Sequence, residues 1–257
     1  MDKINHLPNP NKQMLIHLHM PKTGGTTLKK IINKNYNTNK IHDVYVDRPQ
    51  LPITLEKLTN KQVHCIQGHF PFGIHEYFNR KATYITMLRD PIDRIISEYY
   101  FIRSIPWHNL HKKVKEMSLE EYQNSPTKCN LQTQFILGEK FRKELSNKDL
   151  QTAKKILIEH FSVVGITEMF DESIFLMKEI LGWQNIFYKK ANVTKNRLTK
   201  KEIPPKVIQQ ISKNNEFDLQ LYAFGKKLLE KKLSSLNLDA KKRLSLYSAQ
   251  NRNRAKR

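Results

Sequence analysis

Met14-Leu15-Ile16-His17-Leu18-His19-Met20-Pro21-Lys22-Thr23-Gly24-Gly25-Thr26-Thr27-Leu28 reads as one strand, a tight glycine turn and the first turn of a helix. Pro21 and the Gly24-Gly25 pair end the strand, and glycine lets the backbone come close to a bound group. Thr26 and Thr27 then open a helix whose free N–H groups and dipole favour an anion. Lys22 adds a formal positive charge at the same point. The segment is a phosphate cradle, Lys22 to Thr27, with Thr23 inside it. It differs from the triphosphate loop G-x-x-x-x-G-K-[ST], because its lysine precedes the glycines. Taken alone, it also reads as an ordinary strand–helix turn with a surface lysine.

A second segment narrows the choice. Thr83-Tyr84-Ile85-Thr86-Met87-Leu88 is a short apolar, β-branched and aromatic strand, and it ends in Arg89-Asp90-Pro91. Asp90 suits a helix N-cap and Pro91 the first helical position. Arg89 therefore stands at the carboxyl end of a strand, the edge at which open α/β sheets bind ligands. Ser97 follows on the helix. An arginine and a hydroxyl suit a second phosphate, which arginine grips in bidentate geometry. The competing reading of Arg89 is an ion pair with Asp90 or Asp93, and of Ser97 an ordinary helical serine.

Together the two segments resemble the sulfotransferase family, in particular its carbohydrate-modifying branch. Pro21–Thr27 matches the family's loop for the 5′-phosphosulfate of the donor, 3′-phosphoadenosine 5′-phosphosulfate. Leu88-Arg89-Asp90-Pro91 through Ser97-Glu98-Tyr99-Tyr100 matches its 3′-phosphate motif. Gly68-His69-Phe70 sits between them, where the resemblance implies the general base. Gly165-Ile166-Thr167-Glu168-Met169-Phe170-Asp171-Glu172 looks like a later strand-to-helix segment of the family. The resemblance spans residues 13–230. It departs at Gln134, where many relatives are expected to carry arginine.

The resemblance implies sulfuryl transfer to a hydroxyl, with adenosine 3′,5′-bisphosphate as the nucleotide product and no metal. In that role Lys22 neutralises charge on the departing phosphate, and Lys22, Thr23, Gly24, Gly25, Thr26 and Thr27 hold the 5′ end of the donor. Arg89 and Ser97 hold the 3′-phosphate. Histidine titrates near neutrality, and His69 lies just past a strand between Gly68 and Pro71, so it is the expected base. His19, which shares a strand face with His17, is the runner-up. A late polar loop with two cations, Lys195 and Arg197, is expected to close on the nucleotide. The alternatives are a P-loop-like nucleotide kinase or phosphotransferase, and a basic nucleic-acid-binding protein. The lysine's position opposes the first. The second has only the charge behind it.

The 257 residues carry a net charge of +21, which calls for anionic partners: nucleotide, nucleic acid, anionic glycan or membrane surface. The expected acceptor is an anionic or neutral glycan. Residues 200–257 hold 15 Lys and Arg against 5 Asp and Glu, and no acid follows Asp239. Residues 241–257 lack an apolar stripe and are expected to stay clear of the core as a basic tail that captures polyanions. Cys65 and Cys129 provide neither a disulfide framework nor a metal spacing. No run of 18 apolar residues occurs and residues 1–12 lack an apolar signal region. The expectation is a cytoplasmic microbial enzyme, unless a membrane anchor has been removed.

Strands are expected at 13–19, 63–67, 83–88 and 162–165, with a possible fifth at Ile186-Phe187-Tyr188, separated by helices. That alternation is the βαβ pattern of a parallel sheet. The expected architecture is α/β: a P-loop-like parallel sheet flanked by helices, in a single domain with a helical C-terminal part. Residues 1–12 form a flexible start, 13–235 the domain and 236–257 the basic tail.

Overall fold

A computed structural model describes residues 13–125, 129–138, 144–189, 191 and 197–255. Five parallel strands form one sheet in the order β2-β3-β1-β4-β5. They are β1 (Met14–Leu18), β2 (Ile41–Val44), β3 (Cys65–Gly68), β4 (Ala82–Leu88) and β5 (Phe161–Ile166). Helices α1 (Gly25–Asn35), α2 (Leu51–Thr59) and α3 (Pro91–Ser104) connect or follow the first four. Between β4 and β5 the chain also forms α4 (His111–Glu116), α5 (Leu119–Gln123), α6 (Leu131–Leu137) and α7 (Asn147–His160). After β5 come α8 (Phe170–Leu181), α9 (Pro205–Asn214), α10 (Glu216–Ser234) and α11 (Leu238–Ala255).

The central strand β1 is buried at every position, as a strand covered on both faces must be. Its neighbours are β3 and β4, in the registers Leu18↔Gly68 and Leu18↔Thr86. The chain first runs to the β2 edge, comes back to β3, then crosses β1 to β4. The connection therefore reverses direction at β1, and the carboxyl ends of β1, β3 and β4 flank a crevice.

Four of the expected strands form. The fifth is not Ile186-Phe187-Tyr188, which has no strand pairing. Those residues are instead held by side chains: Ile186 is buried, and the Tyr188 hydroxyl donates to Asp171 Oδ1 at 2.7 Å. The fifth strand is β2. It is short, half-buried and carries His42 and Asp43, too polar and too brief to show a strand period in sequence.

The expectation that residues 241–257 stay clear of the core is also not met. Helix α11 packs on α8, and Tyr247 is only 5% exposed. The Tyr247 hydroxyl donates to the Ile186 carbonyl at 2.9 Å, Asn251 donates to Asp171 at 2.8 Å, and Arg243 pairs with Glu179 at 2.7 Å. Ala240, Leu244 and Tyr247 recur at i, i+4 and i+7 and form a sparse inward face, which the flanking hydrogen bonds reinforce. Tyr247→Ala should therefore destabilise the protein by about 3 kcal/mol, the usual range for deleting a buried aromatic. Urea or thermal unfolding reads this directly.

The expected Asp90 cap forms. The Asp90 carboxylate accepts from the Ile92 and Asp93 N–H groups at 2.9 and 3.0 Å. Ser118 and Ser146 each form a reciprocal box with the acid three residues on. Both cysteines are free thiols, and Cys65 is buried in β3. Among the described residues no helix is long and apolar enough to cross a membrane.

Candidate active site

The strand β1 ends against Met20-Pro21, and Lys22 takes a left-handed backbone at φ 65°. A side-chain-bearing residue rarely adopts that conformation outside turns and functional sites. The Arg89 Nη1 donates to the Lys22 carbonyl at 2.9 Å, which holds the turn in place. Gly24 follows at φ 82° and stands at the N-cap of α1. A Cβ on Gly25 would lie 1.9 Å from the His19 ring, so the close approach of loop and strand requires glycine there. The Thr23 hydroxyl turns inward to the Met20 carbonyl at 2.9 Å and is buried, so Thr23 serves the loop through its backbone. The Thr27 hydroxyl accepts from the Ala191 N–H at 3.1 Å.

A cleft of about 570 Å³ opens above this loop. That is a usual size for a small-molecule site. Lys22, Gly24, Gly25, Thr26 and Thr27 form its floor, and His69, Arg89, Ser97 and Arg197 line its walls. Residues from four separate stretches thus meet at the carboxyl ends of β1, β3 and β4. Lys195 lies outside the described residues.

His69 follows β3. Its Nδ1 lies 2.6 Å from the His19 carbonyl, which can only accept. Nδ1 therefore carries the proton and Nε2 is the basic nitrogen. The ring packs at 4.5 Å from His19 and 4.8 Å from Tyr45 between centroids. This recessed setting pushes its pKa below the ordinary 6.5, through desolvation first. His19 is buried and neutral, its pKa pushed down to about 2 by desolvation, and its Nδ1 lies 2.9 Å from the Tyr45 hydroxyl. His17 is fully buried beside it with its pKa lowered to about 3, also by burial. The two strand histidines are a neutral, packed support under His69.

Lys22 Nζ sits 3.7 Å from the centroid of the Phe101 ring. Desolvation, followed by the nearby Arg89 charge, pushes its pKa down to about 8. The ammonium is held in a dry wall rather than in bulk water, where its field on a bound anion is strongest.

Arg89 does not pair with the acids beside it. Lys200 takes Asp90 at 2.6 Å and Asp93 at 3.5 Å. Arg89 keeps a long contact of 3.9 Å from Nε to Glu168, and that Nε has no hydrogen-bond partner among the described residues. Arg197 Nη1 is likewise buried without a partner among the described residues. Two guanidinium N–H groups left unsatisfied in one cleft are a demand for a strong acceptor, since such donors are costly to bury unpaired.

The structure adds supports that the sequence does not announce. Gln132 Oε1 accepts from the Arg89 N–H and its Nε2 donates to the Arg89 carbonyl, both at 2.9 Å. Buried Asp218 on α10 accepts from the Gln132 and Thr133 N–H groups at 3.0 and 2.7 Å, and so fixes α6 under Arg89. Thr167 donates to the Thr23 and Leu88 carbonyls at 2.8 and 3.0 Å, tying β5 to the loop. Gln134 is buried and donates to the Cys129 carbonyl at 3.0 Å, away from the cleft. The alternation of Gln132 and Gln134 carries no sequence signal as to which one braces Arg89.

The fold and the cleft define an anion-binding α/β protein with its ligand edge at the end of β1. The chain belongs to the sulfotransferase family, whose model matches residues 9–225. Among curated proteins it is similar to the heparin sulfate O-sulfotransferase of Drosophila melanogaster, 26% identical over 84% of this chain and 74% of that one. The heparan sulfate 2-O-sulfotransferases of Caenorhabditis elegans and Homo sapiens are 25% and 24% identical, over 79% and 83% of this chain and 74% and 68% of theirs. Among solved structures, mouse sulfotransferase SULT7A1 complexed with PAP aligns over 95% of this chain and 85% of that one, at 12% identity and a TM-score of 0.37. The protein is a sulfotransferase dependent on 3′-phosphoadenosine 5′-phosphosulfate.

Proposed function

We propose that the cleft carries sulfuryl transfer from 3′-phosphoadenosine 5′-phosphosulfate to a hydroxyl of a glycan, with His69 as base and without a metal. The supporting observation is the meeting of the glycine loop, a tautomer-fixed histidine and two unsatisfied guanidinium donors around one cleft. The glycan acceptor follows the relatives, which are heparin and heparan sulfate sulfotransferases.

The donor supplies an activated sulfuryl group on a phosphate leaving group. The loop N–H groups from Gly24 to Thr26 hold the 5′ end. Arg89, Ser97 and Arg197 hold the 3′-phosphate, the feature that separates this nucleotide from ATP. His69 Nε2 takes the acceptor's hydroxyl proton as that oxygen bonds to sulfur and the bond from sulfur to the phosphate oxygen breaks. Lys22 neutralises the charge that gathers on the departing phosphate oxygen. Lys22, Arg89 and Arg197 supply the positive charge that magnesium gives in triphosphate sites.

Melting curves, with EDTA present in every arm except the one that contains magnesium, test the donor assignment. Adenosine 3′,5′-bisphosphate at about a hundredfold excess over its Kd should add about 2.7 kcal/mol of stability. Adenosine 5′-monophosphate should add far less, and ATP with magnesium should not exceed it. Equal shifts from the bisphosphate and monophosphate would mean that Arg89, Ser97 and Arg197 do not grip a 3′-phosphate. A larger response to ATP with magnesium would favour a phosphotransferase.

A further inference from the structure

An indole is left in water on a braced corner at the rim of the cleft. Helix α3 ends at Ser104, and the turn 105–110 leads into α4. Trp107, at its tip, is 83% exposed. The other tryptophan, Trp183, is 3% exposed and lies against Tyr36 at the far end of α1. Burial of a large aromatic surface is among the strongest driving forces available to a chain, so an indole held out of the core is conspicuous.

The corner is rigid. The His111 Nδ1 lies 3.0 Å from the Ile102 carbonyl, and the His108 N–H donates to the Ile105 carbonyl at 3.0 Å. Arg103 donates to the Val114 and Lys115 carbonyls at 3.2 and 2.6 Å, and the Tyr99 hydroxyl to that of Met117 at 2.8 Å. The indole is therefore presented on a fixed support, at small entropic cost to a partner.

It also stands next to the chemistry. Lys22 Nζ rests on the Phe101 ring, and His108 meets that ring edge-on at 6.1 Å between centroids. His108 and Leu110 line the cleft, and Trp107 directly precedes them. On the other side the short helix α4 begins with exposed Lys112 and Lys113. Glu116 is its one acid.

We propose that this corner is the docking surface for the glycan acceptor. The face of Trp107 stacks on the C–H face of a pyranose ring, and Lys112 and Lys113 pair with carboxylate or sulfate groups further along the chain. The assignment rests on the glycan acceptor proposed for the cleft. An aromatic platform beside two cations suits a polymer of apolar ring faces and pendant anions, and it places the acceptor hydroxyl on the Lys22 side of the cleft.

The test uses a 2-O-desulfated heparin oligosaccharide as probe. Trp107→Ala should raise its KM about tenfold, with kcat within about twofold and the melting temperature unchanged, since the side chain is exposed. Trp107→Phe should recover most of the loss. Because Trp183 is buried elsewhere, the probe should shift the tryptophan emission of the wild-type chain to the blue, and Trp107→Phe should abolish the shift. Lys112→Ala/Lys113→Ala should flatten the dependence of KM on salt. If the wild-type chain sulfates the oligosaccharide without a shift in its tryptophan emission and Trp107→Ala leaves KM unchanged, the docking surface is overturned and the glycan reading stands. If the wild-type chain neither binds nor sulfates this or any other glycan, both fall together.

Discussion

His69→Ala is expected to lose about 10²–10⁴-fold in kcat while binding adenosine 3′,5′-bisphosphate as tightly as the wild-type chain. The His19 carbonyl fixes the proton on Nδ1, so Nε2 is the basic nitrogen of the ring at the cleft wall. In the proposed complex this side chain holds no part of the nucleotide, so removal of the ring should spare donor affinity. Turnover and calorimetry on one preparation check both halves. Near wild-type turnover in the variant would move the base elsewhere, and lost nucleotide affinity would make His69 a structural part of the donor site. The acid limb of the kcat/KM profile should vanish in the same variant. The base works when neutral and its pKa lies below 6.5, so the wild-type limb falls on the acid side of that value.

Lys22→Met is expected to lower kcat by about 10²–10³-fold, the effect of removing one well-placed charge from a transition state that gathers negative charge. The methylene stem can still cover Phe101, so the loss reports the ammonium rather than the packing. The pH profile gives an independent reading. The Lys22 pKa is pushed down to about 8, so the charged, active form is lost as pH rises through that value. The free enzyme should therefore show an alkaline limb near pH 8 in kcat/KM. Bound phosphate favours the charged lysine, so the limb should move upward in kcat. Lys22→Met should have no such limb. A limb unchanged in the variant would assign it to another group.

The site is legible in sequence where it is local. Pro21 to Thr27 announces its own backbone, because the glycines and threonines that bend the chain also suit the ligand. Arg89-Asp90-Pro91 marks a strand end and a helix start within three residues. His69 can be placed because Gly68 and Pro71 bracket it at the end of a strand. What sequence reasoning misses is non-local. β2 is polar and only four residues long, and it becomes a strand because β3 offers an edge. Lys200 pairs with Asp90 and Asp93 from more than a hundred residues away, which leaves Arg89 clear of both acids, and nothing near Arg89 in sequence foretells it. On α11 the inward face is Ala240, Leu244 and Tyr247, a stripe too sparse to stand out in a segment so rich in lysine and arginine.

The paired bonds between Gln132 and the backbone of Arg89 imitate a sheet neighbour just beyond the point where the strand stops. Their anchor is Asp218, on a helix far later in the chain. The nucleotide end of this protein is thus not a module that can be excised. A fragment that keeps every motif from Pro21 to Ser97 still lacks the part that aims its arginine. The same holds for grafting: transplanting the two phosphate motifs into another parallel sheet carries the letters of the site without its alignment. A change at Asp218, which touches no part of the cleft, would therefore act on the cleft through the aim of Arg89.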